Sequence, residues 1–189
     1  TSISGTAIEV AAAYTANDAD GGITGLDAVN ITLTDATVTL AALNLAIADT
    51  TGKVTATLET TALSDIVAAD GNGRTIGGTG HSITIALTDN TVSAANLNTL
   101  NAITTETITI DPAGGNDSPA VSAGTYDALY SAFSSSGIAN LGSSTIAGIT
   151  GNITVTQANN LQGLTSGEIL AGATISNGDV ATLVGLNAN

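Results

Sequence analysis

The sequence has no cysteine, no methionine and no tryptophan. No disulfide framework is possible, so the chain must hold its shape by packing and hydrogen bonding. Aromatic residues are limited to 3 tyrosines and 1 phenylalanine, too few to build stacking platforms for sugar rings or bases. Basic residues are almost missing: 2 Lys+Arg stand against 16 Asp+Glu, a formal net charge of −14. Nucleic acids and anionic membrane surfaces are recognised by clusters of cations. Lys53 and Arg74 are the whole basic complement, so no nucleic-acid partner is expected. Uninterrupted apolar runs long enough to cross a bilayer are also lacking, and membrane insertion is not expected. The first residue is Thr1 rather than methionine, as expected of a processed or excised chain.

What remains is aliphatic. Hydrophobic residues make up 43% of the chain and charged ones 10%, and the apolar share is almost all Ala, Val, Ile and Leu. Disordered acidic tails lack this content, so the chain is expected to fold. Side chains of such similar, modest size suit thin, regular layers. Lack of both sulfur residues fits very large secreted surface proteins, and the acidic surface would keep a dense coat soluble by self-repulsion.

An internal repeat organises the sequence. Ile31, Leu33, Thr34, Asp35, Thr37, Val38, Leu43 and Asn44 recur 54 residues later as Ile85, Leu87, Thr88, Asp89, Thr91, Val92, Leu97 and Asn98. Thr50-Thr51 recurs as Thr104-Thr105, and Val54 as Ile108. A degenerate third copy runs from Asn152 to Gln162. A second motif alternates with the first, placing an acid ahead of helically spaced aliphatics: Glu9, Asp65, Asp127 and Asp179. Thr6…Glu9 and Ser176…Asp179 have the spacing of capping boxes, and an acid in the first turn favours the helix dipole. These carboxylates are therefore read as caps and not as catalysts.

Ile/Val/Leu alternating with Thr predicts strands at 29–35, 53–59, 82–88, 106–111 and 152–156. Short helices are predicted at 7–14, 40–48, 62–69, 94–103, 126–133, 157–164 and 179–186, with start signals at Thr37, Thr60-Thr61, Thr91, Thr156 and Ser176. A strand, a short helix and the next strand in roughly 25–30 residues predict an α/β solenoid of short parallel strands and short helices. An irregular two-layer α/β domain is the alternative. The array divides approximately into repeats 1–56, 57–111 and 122–172 with a half repeat at 173–189. Neither end carries a polar cap, so each is expected to be covered by a copy of the same chain or by flanking repeats of a longer one.

The strings from Ile31 to Asn44 and from Ser4 to Tyr14, with their echoes, resemble repeat arrays of very large secreted acidic surface and adhesin-type proteins. Such arrays occur in marine bacteria and cyanobacteria beside RTX-type calcium-binding regions. The resemblance covers most of 2–110 and fades over 113–189. It implies an extracellular or cell-surface structural role and no catalytic residues. The RTX nonapeptide is absent: in Gly77-Gly78-Thr79-Gly80-His81-Ser82, serine stands where the motif needs aspartate.

Calcium is the one cofactor the sequence suggests. Ca²⁺ takes several oxygen ligands from a loop, and Asp18-Ala19-Asp20-Gly21-Gly22 has Asp-x-Asp-Gly spacing with Asn17 adjacent and Asp27 downstream. Asp111 and Asp117 flank a third acidic turn, and Asp70-Gly71-Asn72-Gly73 is a poorer one. The candidate metal ligands are Asp18, Asp20, Asp27, Asp111 and Asp117. Against them stands the ordinary use of Asp, Asn and Gly in turns. Thr-x-Thr pairs at 32/34, 55/57 and 107/109 have a water-ordering spacing, but Thr is a common outward strand residue. His81 is the single histidine, without a nucleophile elbow to serve, so no enzyme is expected. Tyr126, Tyr130 and Phe133 share one helix face, read as core, cap or subunit contact. The expectation is a self-assembling structural module of a filament, surface layer or adhesin stalk. The alternative is a calcium-dependent adhesion or glycan-binding module.

Overall fold

The computed structural model describes residues 1–18, 22–67, 76–112, 117–170, 172 and 174–176. In chain order the elements are β1 (Ser2–Gly5), α1 (Ala7–Asp18), β2 (Asn30–Leu33), α2 (Leu40–Asp49), β3 (Val54–Thr57), α3 (Leu63–Ile66), β4 (Ser82–Leu87), β5 (Thr91–Val92), α4 (Ala94–Asn101), β6 (Ile108–Ile110), β7 (Ala120–Val121), β8 (Gly124–Thr125), α5 (Tyr126–Ser134), β9 (Ile149–Thr150), β10 (Asn152–Ile153), α6 (Val155–Gln162) and β11 (Thr174–Ile175). The architecture is α/β. Every strand foreseen from alternation is present, shorter than the alternation itself. The predicted helix at 179–186 and the Ser176…Asp179 box involve residues outside the described ones.

One five-stranded sheet runs in the order β1-β2-β3-β4-β6, so neighbours in space are near neighbours in sequence. The β1–β2, β2–β3 and β3–β4 ladders are parallel. Three small parallel ladders join β5 to β7, β8 to β9 and β10 to β11. Parallel neighbours need a crossover, which α1 and α2 supply.

The chain forms two compact units, Thr1–Ala86 with Thr99–Ile108, and Leu87–Asn98 with Thr109–Asn189. In the first, aliphatic side chains align across strands: Ile3 pairs with Ile31, Ile31 with Val54, and Ala56 with Ile83. Ile31, Val54 and Ile83 are fully buried, each worth about 1.5–3 kcal/mol of burial. The opposite face carries hydroxyls in step, with Ser4 opposite Thr32, Thr32 opposite Thr55, Thr55 opposite Ser82 and Thr57 opposite Thr84. In the second unit the core gathers Val121, Leu129, Ala132, Ile146 and Leu161.

Helix starts are set by side chains, but two residues later than the first Thr in two of the repeats. Thr39 Oγ1 accepts from Ala42 N, and Ser93 Oγ from Asn96 N at 3.5 Å, whereas Thr37 lies in a bend before the helix and Thr91 lies in β5. The reason is burial: Val38 and Val92 must remain extended to reach the core, where they are 3% and 2% exposed. Thr154, not Thr156, caps α6, in a reciprocal box with Gln157. Ala62 precedes α3 without a side-chain cap. Thr6 and Glu9 form the expected pair: Glu9 Oε2 accepts from Thr6 N at 2.8 Å, and Thr6 Oγ1 accepts from Glu9 N at 3.4 Å. That bond from the Thr6 backbone holds the Glu9 carboxyl below its ordinary value.

Candidate functional site

Three of the buried polar side chains, Thr50, Thr104 and Thr165, form a repeated latch. Thr50 Oγ1 donates to Val29 O at 2.6 Å and accepts from Gly52 N at 2.9 Å. Thr104 Oγ1 donates to Ile83 O at 2.7 Å and accepts from Glu106 N at 3.0 Å. Thr165 Oγ1 donates to Ser144 O at 2.8 Å and accepts from Gly167 N at 2.9 Å. In all three the hydroxyl reaches a carbonyl 21 residues upstream. The next residue repeats the gesture 24 residues upstream: Thr51, Thr105 and Ser166 donate side-chain hydroxyls to Asp27 O, His81 O and Gly142 O. Their backbone N–H groups donate to the same carbonyls. The recurrence of Thr50-Thr51 as Thr104-Thr105 was the signal for two latches. Thr165-Ser166 lies outside the 54-residue offset and was missed.

His81 stands in the same layer without a hydroxyl. It is 6% exposed, bridges to Thr104 in parallel fashion, and its Nδ1 accepts from Val54 N at 3.1 Å. An accepting Nδ1 places the ring proton of the neutral imidazole on Nε2. Burial pushes the ring below its ordinary value; the Gly77 carbonyl pulls the other way, and the Lys53 charge again lowers it. That carbonyl is close enough to favour the charged ring, yet Nε2 has no partner of normal hydrogen-bond geometry. Beside the ring is a hollow of about 350 Å³ that also touches Thr51, Lys53, Gly78, Thr79 and Gly80.

The acidic loops are not assembled into a ligand set among the described residues, where no three His, Asp or Glu side chains group to hold a metal ion. Asp27 is exposed, and its Oδ1 accepts from Asn17 Nδ2 at 3.4 Å, while Asn17 Oδ1 accepts from Leu26 N at 3.3 Å. Asp18 ends α1, and Asp20 lies outside the described residues. Asp111 is half-buried after β6 and Asp117 is exposed, with 113–116 outside the described residues. Asp70, Asn72 and Arg74 are likewise outside them. No helix among the described residues is long and apolar enough to cross a membrane.

On α5 the core face is Leu129 and Ala132. The tyrosines flank it: Tyr126 and Tyr130 stack with ring centroids 5.5 Å apart, and Tyr130 is 40% exposed. An apolar groove in the first unit lies between α1 and α2, where Ile8 is 83% and Leu45 52% exposed. Compared with family models, curated proteins and solved structures, the chain matches none of them.

Proposed function

We propose that this chain is a structural repeat module whose strand–helix coils stack as a solenoid, and that it assembles with its own kind through the open edge of β1. The observation that carries the reading is the sequential parallel sheet, in which β1 is an end strand. An edge strand offers a row of unpaired N–H and C=O groups, and proteins that must stay apart guard it with Lys, Pro or a bulge. Ser2-Ile3-Ser4-Gly5 has neither charge nor proline. Exposed Ile8, on the helix that follows, adds apolar surface close by in sequence. Latches that return at constant spacing support a coil-by-coil build, since each coil then grips the one before it.

The partner in this reading is a second copy or the flanking repeat of a longer chain. The setting is the cell surface or the extracellular space, as a filament, surface layer or adhesin stalk. Composition supports that setting: acidic, sulfur-free and without a basic patch. Head-to-tail pairing of non-identical ends gives open assemblies.

Sedimentation and negative-stain microscopy over a concentration series test the reading. Wild type is expected to form elongated oligomers, and Ser4→Lys, on the exposed face of β1, to remain monomeric with an unchanged circular dichroism spectrum. A compact wild-type monomer at the highest concentration would overturn it.

A further inference from the structure

Lys53 is the one described cation in a chain with 16 carboxylates, yet it makes no ion pair among the described residues and is exposed. It borders the hollow that holds the only histidine, and none of the described residues lining that hollow is acidic. Electrostatics elsewhere on this molecule repel anions; here a cation and several neutral donors converge. Among the described residues, the Thr79 hydroxyl and the Gly80 N–H have no hydrogen-bond partner. Gly78 and Gly80 take left-handed backbone, φ 66° and 77°, the kind of turn whose N–H groups form anion-binding concavities. Behind the turn sits His81 Nε2, buried and, apart from the nearby Gly77 carbonyl, without a partner of normal hydrogen-bond geometry. A Cβ at Gly78 would stand 2.6 Å from it, so only a bare glycine lets this turn lie against the ring.

We propose that this hollow binds a small oxyanion, a carboxylate or sulfate group, held by the Lys53 ammonium, the Thr79 hydroxyl and the Gly80 N–H, with the His81 Nε2–H as the buried donor. Such groups come as free ions or on acidic polysaccharides. The site lies within one unit and needs no second copy, so it stands or falls apart from self-association.

The single imidazole gives a clean readout. Long-range ¹H–¹⁵N spectra of the full chain are recorded while sodium sulfate, and separately a uronic-acid oligosaccharide, is added at constant ionic strength maintained with sodium chloride. A saturable shift of the His81 nitrogens is expected. Loss of one charge-assisted bond in Lys53→Met should weaken it about tenfold, while Lys53→Arg keeps it. Saturation by both probes assigns the group itself; saturation by the oligosaccharide alone assigns an acidic polysaccharide. A shift that never saturates, or one identical in Lys53→Met, overturns the proposal.

Discussion

The backbone N–H of Val54 donates to Nδ1 of His81 at 3.1 Å across 27 residues of chain. In the neighbouring strand, β4, the N–H of Ile83 donates to Thr104 Oγ1 at 3.0 Å. One ring nitrogen therefore does for one strand what a hydroxyl does for the next. The exchange has a consequence, because an imidazole can be protonated and a hydroxyl cannot.

The first prediction is a stability loss on mild acidification. Burial lowers the folded-state value of His81 below its ordinary 6.5. Above the ordinary value both folded and unfolded states are neutral at this ring, and its contribution is fully present. Below it the unfolded chain binds a proton that the folded chain refuses, so stability falls until the folded-state value is reached. Urea midpoints at about pH 7.5 and about pH 5.5 sample stability above that window and within its upper part. They also stay above the ordinary 4.5 of Glu9, which titrates at the acid end. Wild type should lose midpoint between them and His81→Gln should lose much less. Equal slopes in the two proteins would refute the assignment.

The second prediction separates the buried latch from the outer hydroxyls. Thr104→Val keeps the shape but strands Ile83 N–H and Glu106 N–H in a dry layer, at a cost of roughly 1–3 kcal/mol. Thr32→Val removes a hydroxyl that has no partner among the described residues and should change stability by no more than about 0.5 kcal/mol. Denaturant melts of the two single variants check the contrast, and comparable losses would mean that the latch is not special.

The α/β class and the parallel order follow from features a sequence carries openly: period-2 alternation, short helical stretches and a 54-residue echo. Boundaries were less legible. Thr37 and Thr39 both qualify as caps by residue type, and so do Thr91 and Ser93. The decision belongs to Val38 and Val92, whose burial requires the chain to stay extended past the first threonine, and that requirement comes from tertiary packing. Short ladders such as β8–β9 were invisible because two residues are too few for alternation to register. The hollow at His81 was invisible for another reason. Lys53 and Gly80 are far apart in sequence, and only the parallel stacking of β3 beside β4 brings their flanks together. The acidic loops, by contrast, were conspicuous in sequence because Asp, Asn and Gly also make turns.

The third prediction concerns close backbone approach at a latch. A Cβ on Gly52 would lie 2.3 Å from Val29 O, and one on Gly167 2.3 Å from Ser144 O. At the position 54 residues after Gly52 the chain carries Glu106, so this tightness belongs to particular copies of the latch and not to the latch as such. Gly52→Ala and Gly167→Ala must shift backbone, and each should cost about 1–3 kcal/mol. Gly142→Ala meets open space and should stay within about 0.5 kcal/mol of wild type. Thermal melts of the three variants rank them. A neutral Gly52→Ala would mean that the strands can separate there without loss.

The fourth prediction decides which threonine starts α6. Thr154 Oγ1 accepts from Gln157 N at 3.2 Å, and Gln157 Oε1 accepts from Thr154 N at 2.9 Å, so two otherwise orphaned N–H groups are satisfied reciprocally. Thr156 is exposed within the first turn. Thr154→Ala should cost about 1 kcal/mol and Thr156→Ala no more than about 0.5 kcal/mol. Gln157→Ala in the Thr154→Ala background should add little further loss, because the two side chains act as a pair and their losses do not add. A double-mutant cycle on denaturant midpoints measures the coupling, and strictly additive losses would dissolve the box into two independent contacts.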